Sequence, residues 1–150
     1  MTRDQFKRSS CPVSCALDVL GDKWSLLVIR DIMFMRKQYF RDFLASPEKI
    51  ASNILSDRLK KLEESNIVLR QRDPGNARRV IYTLTEKGLD LSPAIHELLR
   101  WGAKHEPASE AILGVLVKAL SEAFASTYYK AKGILPTDHP RAEERPARPA

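Results

Sequence analysis

Hydrophobic positions along the chain follow a helical spacing up to Asn66, then a strand spacing, then a helical one again. "PVSCALDVL", residues 12–20, predicts a short helix with Pro12 in its first turn and Gly21 as its stop. "KWSLLVIRDIMFM", residues 23–35, is apolar on nearly every side, as suits a buried central helix. A short helix follows in "YFRDFLAS", and Pro47 breaks the chain before Ile50. In "SNILSDRLKKLEESNIV", at about 100° per residue, Leu55, Leu59 and Leu62 share one side with Ile54 on the flank. Asn53, Asp57, Lys60 and Glu64 point the opposite way, flanked by Ser56 and Lys61, and the helix is expected to end at Ser65-Asn66.

After Asn66, "IVLRQR" and "RVIYTL" are β-branched runs separated by "DPGNAR", which predicts a hairpin. Arg70 and Arg72 lie on one arm, and Arg78 and Arg79 begin the other. "TEKG" opens the next helix, with Thr85 as its N-cap and Leu84 packing from outside. That helix is expected to run to about His105, with Pro93 either kinking it or marking its interior start. A further helix over residues 108–131 carries Ile112, Leu116, Leu120, Phe124 and Tyr128 at i+4 spacing. This stripe fits packing on its own domain and a homodimer contact equally well. The end, "PTDHPRAEERPARPA", is Pro-rich and charged and is expected to be disordered.

Charge adds what periodicity leaves open. The net charge is +6, but Arg36–Lys87 holds 12 basic and 7 acidic residues, whereas residues 88–150 balance to zero. The excess thus falls on the segment with the polar-faced helix and the hairpin, and points to a polyanion partner. No apolar run approaches the ~20 residues of a membrane span. "MTRDQFKRSS" has no apolar core of a secretion signal, so a cytoplasmic protein is expected. No phosphate loop, nucleotide fingerprint, paired catalytic carboxylates or Cys–His dyad is visible, and the reading is not an enzyme.

Helix, buried helix, short helix, polar-faced helix, basic hairpin, helix is the order of a winged helix-turn-helix domain. The expected fold is mainly α with a small β-hairpin and a C-terminal helical extension. An α-helix fits the major groove, with its N-terminal half at the base edges. Asn53 can pair with adenine and Asp57 can accept from cytosine, while Ser52 and Ser56 suit bases or phosphates. Lys60 and Lys61 are placed for backbone contacts, and Arg78 and Arg79 for phosphate or the minor groove. Arg58, nearer the apolar side, is expected in an internal ion pair or on phosphate, and Tyr82 against the recognition helix. The bland alternative is a solvated surface helix, and with it a winged-helix protein–protein interaction module that reads no DNA sequence.

"CPVSCALDVLGDKWSLLVIRDI", "YFRDFL", "ILSDRLKKLEESNIV", "RRVIYTLTEKG" and "LLRWGAKH" together resemble the HxlR-type transcriptional regulators of bacteria and archaea. The resemblance spans residues 11–106, preceded by an arm (1–10) and followed by the extension (107–132) and the tail (133–150). It implies a winged-helix homodimer of MarR-like architecture on a palindromic operator in double-stranded DNA, with its dimer contact in the N- and C-terminal helices. Where such proteins usually open the recognition helix with Ser or Thr, this chain has Ala51, leaving Ser52 to cap one residue later; Asn66 replaces a glycine after the helix.

Cys11 precedes the first helix, where free amides and the dipole lower a thiol's pKa, and Arg3, Lys7 and Arg8 can add to this. By the same resemblance Cys11 is the candidate sensor of oxidants or electrophiles; the plain alternative is a small buried hydrophobe. Cys11 and Cys15, four apart, are poorly oriented for a disulfide. With scattered His96, His105 and His139 they make a poor zinc site, so neither metal nor cofactor is expected. Trp24 and Trp101 are read as core or dimer-interface aromatics, and His96 as a core histidine.

Overall fold

The computed structural model describes residues 8–106. The helix expected over 108–131, the tail, and Arg3 and Lys7 lie outside the described residues. The chain falls into two units, Met1–Glu97 and Leu98–Ala150.

In the first unit, α1 (Pro12–Leu20) and α2 (Ser25–Met35) follow the apolar runs that predict them. Gly21 is the C-cap of α1, and a Cβ there would run into the carbonyl of Leu17. Asp22 then starts α2: its carboxylate accepts from the amides of Trp24 (2.8 Å) and Ser25 (2.9 Å) and from the Ser25 hydroxyl (2.5 Å). α3 (Phe40–Leu44), a turn and α4 (Ser52–Glu64) make the helix-turn-helix. The expected cap is absent from α4: Ala51 occupies the N-cap position with extended backbone and no side-chain bond, while Ser52 is already helical. At the far end Asn66 takes a positive φ of 57°, the left-handed conformation expected of it; Lys49, before α4, does the same at 55°.

The hairpin pairs β1 (Val68–Asp73) with β2 (Asn76–Leu84), antiparallel, around a Pro74-Gly75 tip shorter than the turn read from "DPGNAR". The register is regular from Val68↔Leu84 to Arg72↔Val80, then jumps to Asp73↔Asn76, so Ala77, Arg78 and Arg79 sit in a bulge. Thr85 caps α5 (Glu86–Leu89) by accepting from the Gly88 amide at 3.1 Å, and its own hydroxyl donates back to Asn66 O at 2.7 Å. Gly88 has no room for a side chain against the Ile67 carbonyl, which explains glycine at this place in "YTLTEKG". The single helix expected from Thr85 to His105 is two: α5 stops at Leu89, and α6 (Ser92–His105) begins with Pro93 in its first turn, the position where a missing N–H costs nothing.

The core gathers Val28 and Ile29 of α2, Phe43 of α3, Leu55, Leu59 and Leu62 of α4, Ile67 and Val68 after it, and Tyr82 and Ile95. Tyr82, in the same core cluster as the α4 leucines, also meets α3: its ring lies edge-on to Phe43, centroids 6.2 Å apart, and its amide donates to Gln38 O at 2.9 Å. The antiparallel register turns Tyr82 to the face that closes over α3, which periodicity alone cannot foresee. In the second unit, Trp101 on the last turns of α6 is 61% exposed, its ring 5.1 Å from that of His105.

A polar network stiffens the turn before α4. Asp31, 3% exposed, accepts from Arg30 (2.7 Å), Lys37 (2.9 Å) and the Ser46 hydroxyl (2.6 Å), while Arg30 also reaches Glu48 at 2.7 Å. Burial works to raise the Asp31 carboxyl, but Ser46, Lys37 and Arg30 outweigh it and hold the group below its ordinary range. The network joins α2 to the α3–α4 turn.

Candidate nucleic-acid interface

α4 separates its two faces cleanly. Leu55, Leu59 and Leu62 are at most 2% exposed, while Ser52, Asn53, Ser56, Asp57, Lys60 and Lys61 are all exposed. The structure thus brings the six candidate α4 residues onto one outer surface. Charge along that surface is partly matched internally: Asp57 holds Arg58 at 3.0 Å and Lys61 at 3.3 Å, and Lys60 lies 4.0 Å from Glu64. Arg58 also reaches Asp22 at 3.2 Å, the internal ion pair expected of it, and thereby links α4 to the start of α2. Burial acts to raise the Asp22 carboxyl; Ser25, the Trp24 and Ser25 amides and Arg58 lower it further than burial raises it.

The wing arginines, read as equals from the sequence, differ in their surroundings. The Arg79 guanidinium lies over the Tyr39 ring, 5.7 Å from its centroid. The Tyr39 hydroxyl donates to Asp73 at 2.9 Å, and Asp73 also accepts from the Gly75 amide at 2.8 Å. Arg78 is exposed, and its guanidinium makes no hydrogen bond or ion pair among the described residues. Sequence reasoning missed Tyr39 and Asp73 as anchors of the wing; an acid next to the Pro-Gly tip was the only local signal.

Cys11 is the N-cap residue of α1 and is exposed. The amides of Ser14, first, and Val13 hold its thiol below the ordinary value. Of the basic arm, Arg8 pairs with Asp18 at 2.7 Å, while Arg3 and Lys7 lie outside the described residues. Cys15, half-buried, donates its S–H to Ser9 O at 3.4 Å. No helix among the described residues is long and apolar enough to cross a membrane.

A helix-turn-helix with its second helix turned outward beside a two-stranded wing defines a winged helix-turn-helix domain. A family model described as HxlR-like helix-turn-helix matches residues 19–110, and the chain belongs to this family. Its relatives are helix-turn-helix transcriptional regulators: YodB of Bacillus subtilis is 38% identical over 92 residues, 61% of this chain and 81% of that protein. The solved structure of PA1607 matches with a TM-score of 0.62 and 36% identity over 67% of this chain and 68% of that one. The redox regulator HypR in its oxidised form matches with a TM-score of 0.57 and 30% identity over 64% and 98%.

Proposed function

We propose that the chain is a sequence-specific DNA-binding transcriptional regulator, acting as a homodimer on a palindromic operator and switched through Cys11. The observation that carries the DNA reading is the outer face of α4: six exposed polar or charged side chains backed by three buried leucines, next to an arginine-bearing wing. In this reading Ser52, Asn53, Ser56 and Asp57 meet base edges, with Asp57 exchanging its internal cations for cytosine or a water. Lys60 and Lys61 hold phosphates, and Arg78 and Arg79 extend the contact from the wing.

Two exposed apolar surfaces support a dimer. Val13 (66%) and Leu17 (51%) stand out from α1, and Leu98 (54%) and Trp101 (61%) from α6. Covering large apolar side chains is what a two-fold partner would do. For the switch, the support is an exposed thiol held low by helix amides, together with likeness to the redox regulator HypR. A thiolate there would form a thioether with an electrophile. With a second thiol it would give a disulfide, two electrons and the second thiol's proton passing to the oxidant.

The test is selection of duplexes from a random-sequence library by the purified full chain, followed by mobility shift with and without a thiol oxidant. A selected site with two-fold symmetry, bound in a salt-sensitive way, supports the regulator. Release by oxidant in the wild type but not in Cys11→Ser supports the switch. Failure to enrich any site would favour the protein-docking module, and release from both proteins would remove Cys11 from the mechanism.

A further inference from the structure

The guanidinium of Arg58 joins two carboxylates of unequal freedom. Its Nη1 lies 3.2 Å from Asp22, just ahead of α2, and its Nη2 lies 3.0 Å from Asp57, on the outer face of α4. Its Nε is buried and makes no hydrogen bond among the described residues, so the group is held at its two Nη ends. At one end Asp22 is fixed: its carboxylate also accepts from the amides of Trp24 and Ser25 and from the hydroxyl of Ser25, a residue 1% exposed. At the other end the Asp57 side chain is 48% exposed, and its second cation, Lys61, is 54% exposed.

A surface aspartate turns among staggered rotamers, and neighbours at i and i+1 on a helix do not face each other. The pair of Asp57 with Arg58 is therefore not a default of the helix. It is made by a guanidinium drawn along the inner edge of α4 by its anchor on Asp22. Bridging two carboxylates in this way suits the planar fork of an arginine and not the point charge of a lysine. Both cations approach the same oxygen of Asp57, Oδ2, which leaves Oδ1 to accept from a further donor.

From this geometry we infer that Arg58 is a positioning residue for base recognition: anchored on Asp22, it fixes the Asp57 carboxylate so that Oδ1 meets the exocyclic amine of one cytosine in the major groove. The inference rests on the DNA-binding reading and narrows it. Of the two cations on Asp57, the exposed Lys61 gives way to the duplex, while Arg58 stays. Its charge also offsets that of a carboxylate brought among phosphates. Arg58 itself touches no base, so it governs which base is chosen and not how firmly the backbone is held.

The test uses the full chain and a duplex site selected by the wild type from a random library. Affinity is measured for that site and for duplexes with each alternative base pair at each position. The proteins are the wild type, Asp57→Ala, Arg58→Gln, Arg58→Lys and the double variant Asp57→Ala/Arg58→Gln. Asp57→Ala should lose about tenfold of discrimination for cytosine at one position of the half-site. Arg58→Gln should lose a similar factor at that position, keep the rest, and add nothing there in the Asp57→Ala background. Arg58→Lys, which keeps the charge and so guards against a loss of folding, should lose the same preference, because a lysine cannot span both carboxylates. In the free protein, scalar couplings across χ1 of Asp57 should report one rotamer in the wild type and an average in both Arg58 variants. Undiminished discrimination in the Arg58 variants, or a single Asp57 rotamer kept without the guanidinium, overturns the positioning role alone. A loss spread evenly over all positions also overturns it and makes Arg58 a support of the fold. Full discrimination in Asp57→Ala removes the base contact that the inference needs and leaves the regulator standing. Wild-type protein that enriches no site overturns the inference and the regulator reading together.

Discussion

The hydroxyl of Tyr39, at the start of α3, donates to the carboxylate of Asp73, at the tip of the wing, across 34 residues of sequence and 2.9 Å of space. The same ring lies under Arg79. One tyrosine therefore ties the helix-turn-helix to the hairpin through an edge bond and a face contact. The wing is thereby fastened near its tip to the start of α3.

Tyr39→Phe should keep the ring under Arg79 and lose the bond to Asp73. Amide hydrogen exchange at Gly75 and Asn76 is then expected to quicken, with exchange in α2 and α4 unchanged. The hydroxyl bond to Asp73, first, and its partial burial raise the phenol of Tyr39 above its ordinary pKa. In a spectrophotometric titration one tyrosine should ionise late in the wild type and return toward the others in Asp73→Asn. Unaltered exchange together with an unaltered titration would show that the tie does not hold the wing.

Asp31 is the most consequential acid of the core. Its folded-state pKa is depressed, so its contribution is present above the unfolded value of about 3.9 and is lost as pH falls through the folded value. Asp31→Asn leaves Lys37 without its charge partner and Arg30 with Glu48 alone. At pH 7 it should cost about 2–3 kcal/mol, less than the ~3–5 of a fully enclosed pair because both cations reach solvent. In urea unfolding the gap between variant and wild type should close as pH drops below about 4. A gap that stays constant with pH would mean that packing, not charge, makes the difference.

Ala51 leaves the first amides of α4 without a side-chain acceptor although its backbone is already that of a cap. Ala51→Ser should therefore stabilise the protein by about 0.5–2 kcal/mol, visible as a rise in Tm. The same change at Ser52, Ser52→Ala, should cost little, because Ser52 is helical and does not cap. The reverse order of effects would place the cap at Ser52.

Cys11 should be alkylated by iodoacetamide faster than Cys15, with the midpoint of its rate–pH profile below that of an ordinary thiol. Peptide mass spectrometry after limited labelling distinguishes the two. Preferential labelling of Cys15 would contradict the exposure and electrostatics that single out Cys11.

Much of this was legible before any tertiary contact was known. Leu55, Leu59 and Leu62 at helical spacing sufficed to tell which side of α4 is inside, because water drives that choice residue by residue. Thr85 as a cap, Asn66 in the left-handed region and Gly21 as a stop were legible for a similar reason: each is a local bargain between a side chain or its absence and the nearest backbone. The order of elements sufficed for the winged helix-turn-helix.

Other features belonged to the tertiary structure alone. Tyr82 faces Phe43, Arg58 meets Asp22, Tyr39 holds Asp73, and Arg79 is stacked while Arg78 is not. Each joins residues far apart in the chain, or depends on a jump in strand register that leaves no mark on hydrophobic periodicity. Periodicity reports how a segment divides between water and core, whereas partner choice is made by the assembled packing. The sequence by itself determined the elements, their inner faces and the basic segment; only the tertiary structure decided which charges are spent within the molecule and which remain to meet a partner.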